Sequence, residues 1–421
     1  MKAASRMKTL SLALAATLAF AQTGWAFCGF YVATGSEPLT NRASRVVLAH
    51  TGDSTQVTMA SDVGGDPKQF ALVIPVPTVI RRDQVRIVHP ATVAHLADYT
   101  KPRLVEYPDP DPCMTVRNIP FPMMAMAPSA APIARSTVHI EAQFSVEEYD
   151  IVVLSATDDG DLLRYLNRNG YKVPAAARGT VGSYLKQGMH FFLAKVNLAR
   201  MKDNGSGFLR PIQVEYRSPK FMLPIRLGTV NATGPQDMIL LALTRRGRVE
   251  TTNYRTIRMP TGKDVPSFVR DQFGEFYDAL FDRQVEAADR SAVFLEYAWN
   301  MNACDPCSAP PMANEELREL GAAWVPSSGY QQPAFVTRLH VRYDAAHFPE
   351  DLMLQETADQ ETFQARYVIH NPFTGATDCK AGKTYQAALP ARQASEAATL
   401  HDLSGWLPEL IQARMAQPQK Q

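Results

Sequence analysis

Ile212-Gln213-Val214-Glu215-Tyr216 and Leu339-His340-Val341-Arg342-Tyr343 alternate apolar and polar side chains. Each is followed by an apolar run, Phe221–Leu227 and Leu352-Met353-Leu354 respectively. Successive side chains of a strand point to opposite faces, so a two-residue period marks a sheet with one face on a core. Gln56-Val57-Thr58-Met59, with Phe70–Val76 after it, is a looser third copy. The pattern predicts β-hairpins, which a true internal duplication and three independent hairpins would produce equally.

Working outward, Arg45–His50, Pro211–Thr244, Phe335–Tyr343 and Phe363–His370 also read as strands. The chain's 30 prolines fall between apolar runs, as short strands joined by stiff loops require. A short helix is expected over Pro90–Tyr99, followed by the loop Tyr107-Pro108-Asp109-Pro110-Asp111-Pro112. A β-α-α-β block comes next. It comprises a strand over Tyr149–Ser155, a helix opened by Asp158, Asp159 and Asp161 and closed at Gly170, a second helix over Thr180–Gln187, and a strand over His190–Val196.

Between 266 and 301, Phe273, Phe276, Tyr277, Leu280 and Phe281 repeat at three and four residues. Val285, Ala288, Ala292, Leu295 and Trp299 continue the spacing. Both sets predict helices, packed as a pair. A weak helix closes the chain near Leu400–Arg414. Strands with segregated helices make the fold class α+β: several antiparallel sheets or hairpins, a β-α-α-β block and a packed helical pair.

The first 26 residues read as a secretory signal. Lys2, Arg6 and Lys8 precede an apolar run from Leu10 to Ala21, and Gly24-Trp25-Ala26 offers small residues for cleavage after Ala26. Ala19-Phe20-Ala21 is a second cleavage site, and Phe27 is too bulky for a lipid anchor on Cys28. The signal takes three of the 43 basic residues and none of the 42 acidic ones, leaving a net charge of −2. That balance points away from nucleic acid and from anionic membrane surfaces. No later apolar run approaches the roughly 20 residues that cross a membrane, Met238–Leu243 coming nearest. Beyond the signal, the expected organisation is a β-rich N-terminal region (27–118), a Pro/Met/Ala-rich linker or loop (119–135), an α+β region (136–260), and a helical pair plus C-terminal strands (261–421).

Several strings resemble one family of exported bacterial proteins, catalogued as domain of unknown function 2330. They are CGFYVA from Cys28, FALVIPVP from Phe70, NGYKVP from Asn169, FMLPIRL from Phe221, EYAWNMNACDPC from Glu296, TRLHVRYD from Thr337 and HFPEDLMLQET from His347. The family pattern opens Cys-Gly-Gly-Phe, and Phe30 here stands in place of the second glycine. The resemblance implies export and supplies no activity.

Five cysteines, Cys28, Cys113, Cys304, Cys307 and Cys379, are disulfide candidates in an oxidising compartment, and an odd count leaves at least one unpaired within a monomer. Cys304-Asp305-Pro306-Cys307 has the C-x-x-C spacing of thiol–disulfide oxidoreductases. Pro310 and Pro311 argue against the helix that would activate its first thiol, and a preceding helix is expected where such enzymes have a strand. Cys379 is a third partner for this pair, pinning the last segment to the helical pair. A zinc site would draw on Cys379 with His340, His347 or His370, and a Cu(I) site on Met123, Met124 and Met126, but no spacing marks either.

Hydrolase signatures of the G-x-S-x-G and H-E-x-x-H types are missing. Ala381-Gly382-Lys383-Thr384 lacks the first glycine of a phosphate loop. The cluster Asp158, Asp159 and Asp161 lacks the closing acid of a calcium loop. Neither a catalytic residue nor a cofactor or metal is therefore assigned. The reading that remains is an exported, periplasmic or secreted, non-catalytic binding or structural protein of the envelope, whose partner the sequence does not identify, an envelope protein being one candidate. A C-x-x-C oxidoreductase and a metal-binding protein are the alternatives.

Overall fold

The computed structural model describes residues 24–25, 30–33, 40–64, 70–114, 142–156, 159–171, 173, 176–197, 200, 209–230, 232, 234–303, 305, 310–329 and 331–417. The first strands are β1 (Gly24–Trp25), β2 (Phe30–Ala33), β3 (Thr40–Thr51) and β4 (Ser54–Gly64). β3 and β4 form a long hairpin whose turn holds Gly52 at φ +62°, a conformation glycine adopts without steric cost. β5 (Phe70–Val76), β6 (Val85–Ile87), α1 (Pro90–Thr100) and β7 (Arg103–Pro108) follow. Pro90 stands at the start of α1, where a missing N–H costs nothing, and the His89 ring accepts from the amide of Ala91 at 3.2 Å.

The β-α-α-β block appears as β8 (Ala142–Val146) and β9 (Tyr149–Leu154), then α2 (Asp159–Arg168), α3 (Ala177–Lys186) and β10 (His190–Val196). Gly170 takes the left-handed φ of +83° that ends α2. Six strands come next: β11 (Ile212–Arg217), β12 (Met222–Leu223), β13 (Gln236–Thr244), β14 (Val249–Thr251), β15 (Arg255–Arg258) and β16 (Lys263–Asp264). The rest of the chain forms α4 (Phe273–Ala287), β17 (Ala292–Asn300), α5 (Asn314–Glu319), β18 (Phe335–Tyr343), β19 (Leu352–Glu356), β20 (Phe363–Gln364), β21 (Arg366–Asn371), α6 (Lys380–Ser404) and α7 (Pro408–Met415).

Ten strands make one mixed sheet in the order β15-β17-β18-β13-β3-β4-β11-β6, with β1 beside β13 and β20 beside β17. It draws strands from both halves of the chain, from β1 to β20. A second, antiparallel sheet runs β2-β5-β10-β9-β8, and two three-stranded sheets, β12-β19-β14 and β16-β21-β7, complete the set. The two larger sheets share a core. Val46, Leu48, Ile212, Val214, Leu339 and Val341 of one meet Leu72, Ile74, Ile151, Val153 and Phe192 of the other. Each fully buried side chain of this kind contributes about 1.5–3 kcal/mol. Helices cover the outer faces: α2 and α3 on the second sheet, α1 and α5 on one part of the large sheet, α4, α6 and α7 on another. The architecture is α+β.

Three expectations need correction. Residues 292–300 are a strand, not the second member of a helical pair, and α4 packs instead against α6. Asp289 and Arg290, at φ +52° and +54°, turn the chain sharply after α4 and stop the helical register. The expected hairpins do not form: β11 pairs with β4 and β6, while β12 leaves for β19, and β18 and β19 likewise part company. In each copy the second strand crosses to another sheet. Finally, the last helix begins at Lys380 rather than near Leu400 and breaks at Gly405 before α7.

Candidate functional site

Two regions gather the side-chain types that do chemistry, and they differ in access. The first is sealed. Alternation along β18 sends Leu339, Val341 and Tyr343 into the intersheet core and Arg338, His340 and Arg342 to the opposite face, under α4. There Glu296 of β17 has no exposed surface and accepts from Arg338 Nε at 2.5 Å, His340 Nδ1 at 2.8 Å and Tyr277 Oη at 2.6 Å. Burial alone would push its carboxyl up, but Arg338 and His340 outweigh that and hold it at about 2.

Arg338 also donates to the carbonyl of Ala97 at 3.0 Å. Arg342 grips Asp237 with both Nε and Nη2, at 2.8 and 2.7 Å, and reaches Asp282 at 2.5 Å. Phe281 lies flat on His340, ring centroids 3.6 Å apart. His340 Nε2 is buried with no hydrogen-bond partner, and its nearest carboxylate oxygen, on Asp237, stands 3.8 Å away. Glutamate, histidine and tyrosine are acid–base residues, yet here they bind one another and α4 roofs them over.

The second region is open. On β8, β9 and β10 the alternation sends Val146, Ile151, Val153 and Phe192 inward, and Gln143, Ser145, Asp150 and Lys195 to the outer face. Register sets Ser145 opposite Asp150, and Asp150 opposite Lys195, in one row across the three strands. Tyr165 of α2 and Tyr171 beyond its end complete the wall of a cavity of about 520 Å³. Asp150 accepts from Ser145 Oγ at 2.5 Å, from Asn197 at 3.3 Å and from Arg200. Burial pushes its carboxyl up, but these donors prevail and keep it below the usual range, so it is ionised and fully engaged.

Asn169 also lines the cavity and donates to the Tyr165 carbonyl, but four other polar groups are not engaged. Among the described residues, the Lys195 ammonium makes no ion pair, and the Gln143 amide and the Tyr165 and Tyr171 hydroxyls have no hydrogen-bond partner. Tyr171 is only 5% exposed. Burial pushes its phenol upward, with Tyr165 and Asp150 adding to the effect, so it stays protonated and able to donate.

A smaller, apolar groove of about 200 Å³ opens between the sheets. Pro75 and Pro77 from FALVIPVP, Met222 and Pro224 from FMLPIRL, and Tyr216 line it. Beneath it Val57, Met59, Val214 and Leu223 leave about 10 Å³, no more than one water's space, so the groove is shallow.

Of the cysteines, Cys113 and Cys379 form a disulfide, S–S 2.10 Å, across a separation of 266 residues. Cys379 is thus bonded to the loop after β7 and not to the C-x-x-C pair. Cys28, Cys304 and Cys307 lie outside the described residues, as do residues 119–135 with Met123, Met124 and Met126. The segment that leads into Cys304 is strand β17, not a helix. His340, His347 and His370 each face carboxylates, of Glu296, Asp344, and Asp264 with Asp109. Among the described residues no three His, Cys, Asp or Glu side chains come together as a metal site. Asp161 pairs with Arg164 of its own helix, and Asp158 lies outside the described residues.

Gln143, Asp150, Tyr165, Tyr171 and Lys195 were not singled out as site residues from the sequence. The one local signal was Tyr171 inside NGYKVP, since three strands and a helix must assemble before the others meet. No curated protein and no solved structure matches the chain significantly. A model of a bacterial family described as an uncharacterized protein conserved in bacteria, DUF2330, matches residues 22–355, and the chain belongs to that family.

Proposed function

We propose that this protein is exported and binds a small polar ligand, without transforming it, in the cavity between the second sheet and α2. The observation that carries the reading is the set of unengaged donors on Lys195, Gln143, Tyr165 and Tyr171 around an open space of about 520 Å³. Ligand sites ordinarily measure ~300–1,000 Å³, and a few polar groups converging on such a space are what fixes a ligand's orientation there. The residues best suited to acid–base work, Glu296 and His340, are locked together under α4, which favours binding over catalysis.

Export is supported by the basic, then apolar, leader and by the disulfide, which persists in oxidising compartments. Among the described residues no helix is long and apolar enough to cross a membrane. Gly24 and Trp25 pair with Gln236 and Asp237, and the family match begins at residue 22. Both favour cleavage after Ala21 over cleavage after Ala26. The test is thermal unfolding of the mature protein against a panel of polar metabolites. A ligand at a hundredfold its Kd stabilises by about 2.7 kcal/mol, and it should be recovered chemically unchanged. A compound that is consumed, or a panel in which only apolar compounds raise the Tm, contradicts the proposal.

A further inference from the structure

We infer that the ligand of this cavity is a sugar carrying one acidic group, a uronate-type saccharide. The inference rests on the binding reading above and adds the ligand's class. Its first ground is charge. Asp150 is neutralised by Arg200 and saturated by Ser145 and Asn197, whereas Lys195, directly across the strand, has no acidic partner among the described residues. The row therefore presents a net positive charge to the cavity. The Lys195 ammonium, open to the cavity and without an ion-pair partner among the described residues, is available to an anion from outside the chain.

The second ground is the direction of the free hydrogen bonds. Lys195 only donates, and the Gln143 amide and the hydroxyls of Tyr165 and Tyr171 have donors to offer. Asn169 spends its amide N–H on the carbonyl of Tyr165 at 2.8 Å, which leaves its side-chain oxygen as an acceptor. Donors on Lys195, Gln143 and the two tyrosines, with acceptors on the Asn169 and Gln143 side-chain oxygens and the tyrosine hydroxyls, match a molecule rich in oxygens, some of which carry hydrogen. The third ground is shape. Tyrosine presents an apolar body and a polar tip, as the faces and rim of a pyranose do, and two tyrosines line this wall. A flat apolar cofactor would leave the donors unpaired, and a metal ion would be repelled by Lys195.

The test is titration calorimetry of the mature protein with three probes: digalacturonate, neutral galactobiose and galactose 1-phosphate. Digalacturonate should bind, and galactobiose should bind far more weakly. Lys195→Gln should weaken digalacturonate about ten- to a hundredfold, since a hydrogen bond to a charged group is the stronger kind, and leave galactobiose unchanged. Tyr171→Phe, which removes one oxygen and keeps the ring, should weaken both sugars, and it stands in if Lys195→Gln does not fold. Equal binding of the two disaccharides, or a digalacturonate affinity indifferent to both variants, overturns the acidic-sugar inference. Binding of galactose 1-phosphate alone replaces the carboxylate with a phosphate and also overturns it. If no probe binds while another polar molecule raises the Tm, the inference fails and the binding reading stands. Both fail if no polar molecule binds at all.

Discussion

Glu296 has no contact with water, and three donors converge on it from β18 and α4. A buried ion pair adds little against a well-packed apolar alternative, but breaking one partner leaves the other charge stranded. Glu296→Gln should therefore cost about 3–5 kcal/mol at neutral pH in urea unfolding, most of it from Arg338 left uncompensated. The pH dependence has a definite sign. The carboxyl titrates near 4.5 when unfolded and near 2 when folded, so its stabilisation is complete above pH 4.5 and is lost as pH falls towards 2. The gap between wild type and Glu296→Gln should narrow across that interval. A gap that stays constant to pH 2 would show that Glu296 is not held ionised. Glu296, Arg338 and His340 all stand in the strings EYAWNMNACDPC and TRLHVRYD. Their chemistry was legible, but their meeting was not, because it spans 42 and 44 residues.

Among the elements, most strands were easy to read, whether one face is polar, as in β18, or both are buried, as in β10 and β13; β17 was not. β18 alternates because one face meets the intersheet core and the other the charged lattice under α4. β17 instead buries Val293, Leu295 and Ala298 on one side and Phe294 and Tyr297 on the other. Such a strand is apolar on both faces apart from Glu296, and the spacing of Leu295 and Trp299 let it pass for a helix. α6 escaped for the opposite reason. Its first half, Lys380–Pro390, is largely exposed and shows no apolar face, and Pro390 interrupts it.

That half is held by chemistry rather than by packing. The Cys113–Cys379 disulfide fastens its start, and Asp109 accepts from Tyr385 at 2.5 Å and Arg392 at 2.6 Å. Beyond it, Ala397, Leu400 and Leu403 join the core under α4. Cys379→Ala should cost about 2–5 kcal/mol and should speed hydrogen exchange at Lys380–Leu389 while leaving Ala397–Ser404 protected. Equal loss of protection along the whole helix would refute the division.

At the scale of the molecule, two sheets back to back make the body, and helices close one of its outer faces more completely than the other. Under α4 the large sheet's polar side chains find one another. Beside α2 the second sheet's polar side chains face an open cavity. The α+β class and the β-α-α-β block follow from local periodicity and capping residues, and both were legible. Which strands become neighbours depends on contacts far apart in sequence, so neither sheet order nor the cavity was. Lys195, the one charge in His190–Val196, gave no sign of its role until β9 placed Asp150 opposite it.

The central claim is that this cavity holds a ligand. The most direct measurement is native mass spectrometry of the protein isolated from its own cells, beside Lys195→Gln and Tyr171→Phe. The account predicts a chain beginning at Gln22 that carries a small non-covalent adduct, weakened or lost in both variants. A bare chain in the wild type, or an adduct that both variants retain in full, would contradict it.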